Sequence, residues 1–382
     1  MVSGKEIITL SLIQGLRARG HDVGCVTSTW ANREFIERLE AAETPYTQIP
    51  MGFISKTLSW SPMKMTFGQM LKMPRLWSGY RSSLRDFRPD VVVQTNFHHT
   101  ILLWPVLNSR NTLFHVHDPF LQTGFYRRMF KFLNRRLCAF VGVSEFIKNM
   151  IVQLGVPEEK TFFVLNGINV TNPEENGAIN AGAASTKKLR NETNGAVKIG
   201  IVGQVGEWKG HDDFVEALRE LKQSNLSFCG VIFGSGDAQY IELLKKKIAS
   251  YNLTQQVHWA GFVKDTKEIF AATDICVVPS RSQDPCPTVA IEAAQFGVPL
   301  IATRQGGLPE LIRDGETGYL VEARSPEQIT EKLKLLIQNT DLRQRMAEAA
   351  RSHGLRHLTR ERMVQEMEAT FARVLKTEGG AR

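Results

Sequence analysis

The 382-residue sequence has no run of about 18 apolar residues, so no transmembrane helix is expected. Nor does it open like a secretory signal. Lys5 and Glu6 precede an amphipathic pattern that ends in Arg17, Arg19 and His21. Cysteine is sparse, with Cys25, Cys138, Cys229, Cys276 and Cys286 scattered and never in CxxC spacing. That pattern argues against a disulfide framework and for reduced thiols in a cytoplasmic protein. No Asp-x-Asp triplet or His/Cys cluster is present, so neither a bound metal nor another cofactor is expected. Acid is scarce in one region: residues 45–136 hold 13 Lys/Arg against only Asp86, Asp90 and Asp118. The whole net charge of +8 lies in the first half, because residues 167–382 contain 27 residues of each sign. A basic face can attract nucleic acid, acidic membrane or an anionic substrate. No nucleic-acid recognition motif accompanies the charge, so nucleic acid is not an expected partner.

What is present is an alternation of short apolar runs with amphipathic stretches, in an ordinary globular composition of 42% hydrophobic and 23% charged residues. Stretches 23–28, 90–96, 111–117, 138–144 and 160–166 read as buried strands, and a second series follows at 197–203, 227–236, 256–262, 275–280 and 298–303. Such spacing predicts βαβ units, parallel sheets and two α/β domains. Ser144 and Gly155 read as the caps of an intervening helix. Residues 169–196, rich in Gly, Ala, Asn and Thr, read as a linker or exposed loop. The expected organisation is therefore 1–168, linker 169–196, 197–355, and a C-terminal helix over 356–382 that packs back on the first domain. Two doubly wound domains joined in this way would place a ligand cleft between the carboxyl ends of their strands. The start departs from the pattern, since the loop-like "VSGKE" has no strand before it. Either the true start lies upstream, the reading we favour, or the domain lacks a central strand.

Two segments run strand, glycine turn, helix. In "VGQVGEWKGHDDFVEAL", Gly203 and Gly206 allow close backbone approach, and Lys209 adds a cation at a helix start suited to phosphate. "GVIFGSGD" repeats the logic with Gly234 and Gly236. Neither spells G-x-G-x-x-G, and "SGKE" is not a P-loop. Taken alone, Lys209 reads more readily as a solvated lysine beside a turn. In "SRSQDPCPTVAIEAAQFGVPLIAT", Asp284 precedes Pro285, and Glu292 falls inside an apolar helix ended by Gly297. Acids so placed either grip ligand hydroxyls, at about 1.5–3 kcal/mol per charge-assisted bond, or serve as caps.

In order and spacing, these segments, with "RPDVVV", "HVHD", "GVSEFIKNMIVQLGVPEEKTFFVLNGI", "VHWAGFV" and "RQGGLPELIRDGETGYLV", resemble the family-4 retaining glycosyltransferases across nearly the whole chain. The resemblance implies the GT-B architecture, two facing Rossmann-like domains with a cleft between them. It implies that Lys209 contacts the donor diphosphate and that Gln204 stands where the family usually has arginine. Glu292 would hold the nucleotide ribose, and Asp284, more often Glu in the family, would face the transferred sugar. Backbone N–H groups near Thr288 and Val289 would cradle the phosphates, and Phe262 and Val263 would border the base. His117 would approach the reacting sugar, and Ser3–Gly4 would form a loop over the phosphates.

The implied reaction is transfer of a hexosyl group, with retention, from a nucleoside diphosphate sugar to a hydroxyl of a glycan or lipid-linked acceptor. Envelope polysaccharide or glycolipid synthesis is the expected setting. The aromatic and basic mixture of residues 51–90 and 125–137 suits an anionic membrane surface, which suggests a peripheral enzyme at the inner face of the plasma membrane. The bland alternative is two helices whose apolar faces pack on the sheet. Competing functional classes are a GT-B sugar-nucleotide epimerase or phosphorylase, and a non-catalytic sugar-nucleotide-binding subunit.

Overall fold

The computed structural model describes residues 4–52, 60–169 and 195–379, with the side chains of 60–68 and 377–379 excepted. Most of the expected linker lies outside them. The chain forms two compact units, Met1–Gly167 with Arg360–Arg382, and Ile168–Thr359.

In the first unit, β1 (Cys25–Ser28) and β2 (Tyr46–Ile49) pair in parallel, and β3 (Val92–Gln94), β4 (Thr112–Val116), β5 (Ala139–Gly142) and β6 (Thr161–Phe163) form a second parallel sheet in chain order. Every residue of β4 and β5 is buried, which is why both read as continuous apolar runs. β2 escaped the sequence reading because its two central residues are exposed and only Ile49 is buried. Among the described residues, no strand precedes the Gly4–Ala18 helix, and β1 and β3 are each bonded along one edge only. Ser144 caps the Glu145–Gln153 helix by accepting from the Ile147 N–H. The Arg360–Gly379 helix belongs to this unit. Its Arg362 Nη2 donates to the carbonyls of Leu165 and Asn166 at 2.7 and 2.9 Å, and Glu368 accepts from Arg19 at 2.8 Å.

In the second unit, β7 (Val197–Val202), β8 (Phe228–Phe233), β9 (Val257–Gly261), β10 (Ile275–Val278), β11 (Leu300–Thr303) and β12 (Gly318–Val321) form one parallel sheet, ordered β12-β11-β10-β7-β8-β9. The strand order reverses between β7 and β10. Ligands of doubly wound sheets bind outside the carboxyl ends of the strands at such a switch point. Ile199, Ile201, Phe214, Leu218, Ile232 and Val277 lie in the buried core beneath it.

Candidate active site

Beyond Val202 the chain passes Gly203 and Gln204, makes one tight turn over Glu207–Lys209, and enters the His211–Lys222 helix. Gly210 sits at φ 76, and a Cβ there would lie 1.8 Å from the Pro279 carbonyl oxygen. Only glycine tolerates that approach, so the β7 loop is pressed against the end of β10. His211 is buried; its Nδ1 lies 3.2 Å from the Gly206 carbonyl, and burial pushes its pKa down to about 4. The ring is therefore neutral at pH 7 and braces the turn. Gly234 and Gly236 carry a different meaning from the one the motif suggests. A Cβ on either would strike the carbonyl of Gly203 or Val205, at 1.8 and 2.1 Å, so their smallness serves backbone packing between loops.

The loop after β10 supplies the partner. Lys209 Nζ lies 2.5 Å from Asp284 Oδ2, with the two side chains 16% and 11% exposed, and 4.5 Å above the Trp208 ring. The Asp284 carbonyl accepts from the Gly307 N–H at 2.8 Å, which ties in the loop after β11. The Thr288–Phe296 helix starts at Pro287 with no side-chain cap, so the N–H groups of its first turn, at Thr288 and Val289, are presented at the strand ends. Glu292, one turn further on, has no ion-pair partner among the described residues, and burial pushes its carboxyl up to about 7. After β9, Phe262 is 53% exposed whereas Val263 is buried. Gln204 is exposed on the β7 loop. At the switch point the Lys209–Asp284 pair joins the two loops, with Gln204 on the β7 side and Thr288, Val289 and Glu292 on the helix that follows β10. Such a site offers a cation, helix N–H donors and a carboxylate to one ligand.

His117 and Gly4 belong to the other unit. His117 follows β4, is 8% exposed, and its Nε2 has no hydrogen-bond partner among the described residues. Its ring centroid lies 4.2 Å from that of His115. Burial first, then His115 and Lys5, hold its pKa well below the ordinary value, so it is a neutral imidazole with an unsatisfied nitrogen. Gly4 is helical, the first residue of the Gly4–Ala18 helix, rather than part of a loop; Ser3 lies outside the described residues. The next residue, Lys5, pairs with Asp118 at 2.5 Å. This unit also holds a cavity of about 870 Å³ whose lining includes Lys5, Trp30, Gln69, Lys72, His98 and His99.

Comparison with known proteins places the chain. Residues 185–353 match the family model of glycosyl transferases group 1, and residues 2–172 match that of glycosyltransferase family 4. Together they span most of the chain. It belongs to this glycosyltransferase family. A D-inositol 3-phosphate glycosyltransferase of Corynebacterium jeikeium is 31% identical over 164 residues, 41% of this chain and 39% of the relative. An uncharacterized glycosyltransferase of Methanocaldococcus jannaschii is 25% identical over 238 residues, 62% of this chain and 58% of the relative. The chain therefore spans less than two thirds of the length of these curated relatives. Anabaena HepE, crystallised with UDP-glucose, superposes with a TM-score of 0.77 at 20% identity, covering 97% of this chain and 96% of HepE. That likeness shows the fold, which is the GT-B fold.

The sequence reading of this family-4 glycosyltransferase missed four residues that shape the site. They are Trp208 under Lys209, His211 behind the turn, and the pair Arg281 and Asp213. Asp213 is 3% exposed within the first turn of the His211–Lys222 helix. In sequence, "HDD" reads as ordinary acid at a helix start; only a buried acid position would have revealed a partner.

Proposed function

We propose that the chain transfers a hexosyl group, with retention, from a nucleoside diphosphate sugar to a hydroxyl of a glycan or lipid-linked acceptor. The observation that carries this reading is the Lys209–Asp284 pair at the β7/β10 switch point, beside an uncapped helix N-terminus whose helix carries Glu292. The diphosphate would lie on Lys209 and the N–H groups of Thr288 and Val289, the ribose on Glu292, and the base beside Phe262. As the bond between the anomeric carbon and the phosphate oxygen breaks, charge grows on the diphosphate, and fixed cations and dipoles stabilise it most at that moment. The acceptor oxygen bonds to the same face of the anomeric carbon, and its proton passes to the departing phosphate oxygen. No resident metal enters the scheme, so activity should survive EDTA. HepE's complex with UDP-glucose makes UDP-sugars the first donors to try. A thermal-shift screen of nucleoside diphosphate sugars identifies the donor, since a ligand bound only by the native state raises its stability. Lys209→Ala should then cost about 10²–10³ in kcat in a folded protein; near-wild-type turnover would refute the site. Product formed without any acceptor would favour an epimerase instead.

On the acceptor side, the reading rests on the first unit, with its cavity and basic surface. The 125–137 stretch is only partly available, because Phe130 and Leu133 are fully buried in the core. What remains outside is Phe125, 48% exposed, beside Arg127, Arg128 and Lys131, and Leu121, just before the stretch, is 72% exposed. Of the 51–90 segment, Met70 and Leu71 are 58% and 70% exposed next to Lys72, while residues 53–59 and the side chains of 60–68 lie outside the described residues. No helix among the described residues is long and apolar enough to cross a membrane. These cations and apolar side chains support peripheral docking on anionic lipid at the inner membrane face, where each cation contributes about 1 kcal/mol. Salt-sensitive co-sedimentation with acidic liposomes is the expected result, and its absence removes membrane docking from the proposal.

A further inference from the structure

Arg281 and Asp213 form a fork that no ligand is needed to explain. Arg281 Nε donates to Asp213 Oδ2 at 2.8 Å and Nη2 to Oδ1 at 2.6 Å, while Nη1 reaches Glu207 Oε1 at 3.3 Å. Each of its three nitrogens thus already faces a carboxylate. The Arg281 N–H also donates to the Trp208 carbonyl at 2.9 Å. One residue of the β10 loop is therefore bonded to three positions of the β7 loop and its helix. The two residues these loops exist to juxtapose lie one and three positions away, Lys209 after Trp208 and Asp284 after Arg281. The carbonyl of the adjoining Ser280 accepts from Thr303 Oγ1 at 2.8 Å, which fixes the base of the β10 loop to β11.

We propose that the Arg281–Asp213 pair is a positioning device, which sets the spacing of the two loops so that Lys209 is held where the donor's diphosphate binds. The planar guanidinium matters as much as its charge. Only a two-pronged donor can hold both Asp213 oxygens at once, so lysine is not an equivalent here. The fork fixes a distance, and about 1 Å of misplacement of a binding group costs about 100-fold in rate.

The proposal rests on the donor-site reading above, and the test separates the two. Affinities for UDP and UMP are measured by calorimetry on the wild type, Lys209→Ala, Arg281→Lys and the double variant. If thermal shift selects another base, its diphosphate and monophosphate are used. The wild type should prefer the diphosphate by at least about tenfold, the worth of one charge-assisted bond to the second phosphate. Lys209→Ala should abolish that preference, and Arg281→Lys should abolish most of it with monophosphate affinity unchanged. The double variant should lose no more than Lys209→Ala alone, as expected of residues acting through one group. A merely structural role would lower the melting temperature and leave the ratio intact. A retained preference in folded Arg281→Lys, beside its loss in Lys209→Ala, overturns the positioning role. A retained preference in Lys209→Ala overturns the donor-site assignment and this proposal with it. Should Arg281→Lys fail to fold, Asp213→Asn, which keeps the guanidinium but loses half the fork, is read in the same way.

Discussion

Glu292 makes a prediction whose sign and size follow from the desolvation of its carboxyl, on a residue that is half-buried as a whole. Its carboxyl is pushed up from the ordinary 4.5 to about 7 because burial penalises the charged form, and no cation among the described residues compensates. A carboxyl raised in the folded state contributes stability that is fully present below its unfolded pKa and lost as the pH rises through the folded value. At about 1.36 kcal/mol per pH unit, the interval from 4.5 to about 7 is worth about 3 kcal/mol. The ligand-free protein should therefore lose about that much stability between pH 4 and pH 8 relative to Glu292→Gln, measured by urea unfolding of both proteins across the range. Ribose hydroxyls donating to the carboxylate favour the ionised form, so binding should draw the pKa back down and release close to one proton near pH 6. Wild-type affinity for the nucleoside diphosphate should accordingly rise about tenfold from pH 6 to pH 8 beyond any rise in Glu292→Gln. The ligand's own phosphate ionisation is common to both proteins and cancels in that difference. Calorimetry in two buffers of different ionisation enthalpy counts the protons directly. Parallel pH profiles for the two proteins, in stability and in binding, would show that Glu292 neither titrates near neutrality nor touches the ribose.

Other substitutions test the same constellation. Asp284→Asn removes the carboxylate that competes with a diphosphate for Lys209; nucleoside diphosphate affinity should rise about tenfold while turnover falls, and unchanged calorimetric affinity would show that the two do not compete. Gln204→Arg supplies a cation on the exposed β7 loop and should lower the donor KM about threefold or more; an unchanged KM places the side chain away from the diphosphate. Gly210→Ala forces a Cβ to within 1.8 Å of the Pro279 carbonyl at φ 76, and should cost about 3 kcal/mol or more. A melting temperature within about 2 °C of wild type would refute the close-packed description of that loop.

The sheets were legible because parallel strands buried on both faces leave an unmistakable trace. "AFVG" and "ICVV" are buried at every position. β2 and β12 left no such trace, being four-residue strands at the margins of their sheets, β2 with half its residues exposed. Lys209 and Glu292 could be placed beside strand ends from the sequence, because glycine turns and a helix start mark those ends. The fork of Arg281 and Asp213 could not, since its partners lie 68 positions apart and nothing in the two motifs that hold them marks them as a pair. The meaning of Gly234 also changed. A glycine that leaves room for a ligand and one that leaves room for another loop look identical in sequence, and only the Gly203 carbonyl, 1.8 Å from where a Cβ on Gly234 would stand, distinguishes them.

The electrostatics of the two loops turn on Asp284. The cations of these two loops, Lys209 and Arg281, already face carboxylates, Asp284 for the first and Asp213 with Glu207 for the second. Arg281 is locked, because Asp213 is buried and breaking a buried pair strands a charge. Lys209 is not locked, because both members of its pair retain access to solvent and its partner stands on a loop. On the proposed donor site, a diphosphate would therefore have to win Lys209 from Asp284, while the N–H groups of Thr288 and Val289 would offer it a landing that no side chain caps. With glutamine at position 204, the β7 loop would offer the diphosphate no second cation in that exchange. On the same reading Asp284, released from the lysine by the arriving phosphates, would be a carboxylate left beside the sugar, where it could accept hydroxyl hydrogens or stabilise positive charge as the anomeric bond breaks.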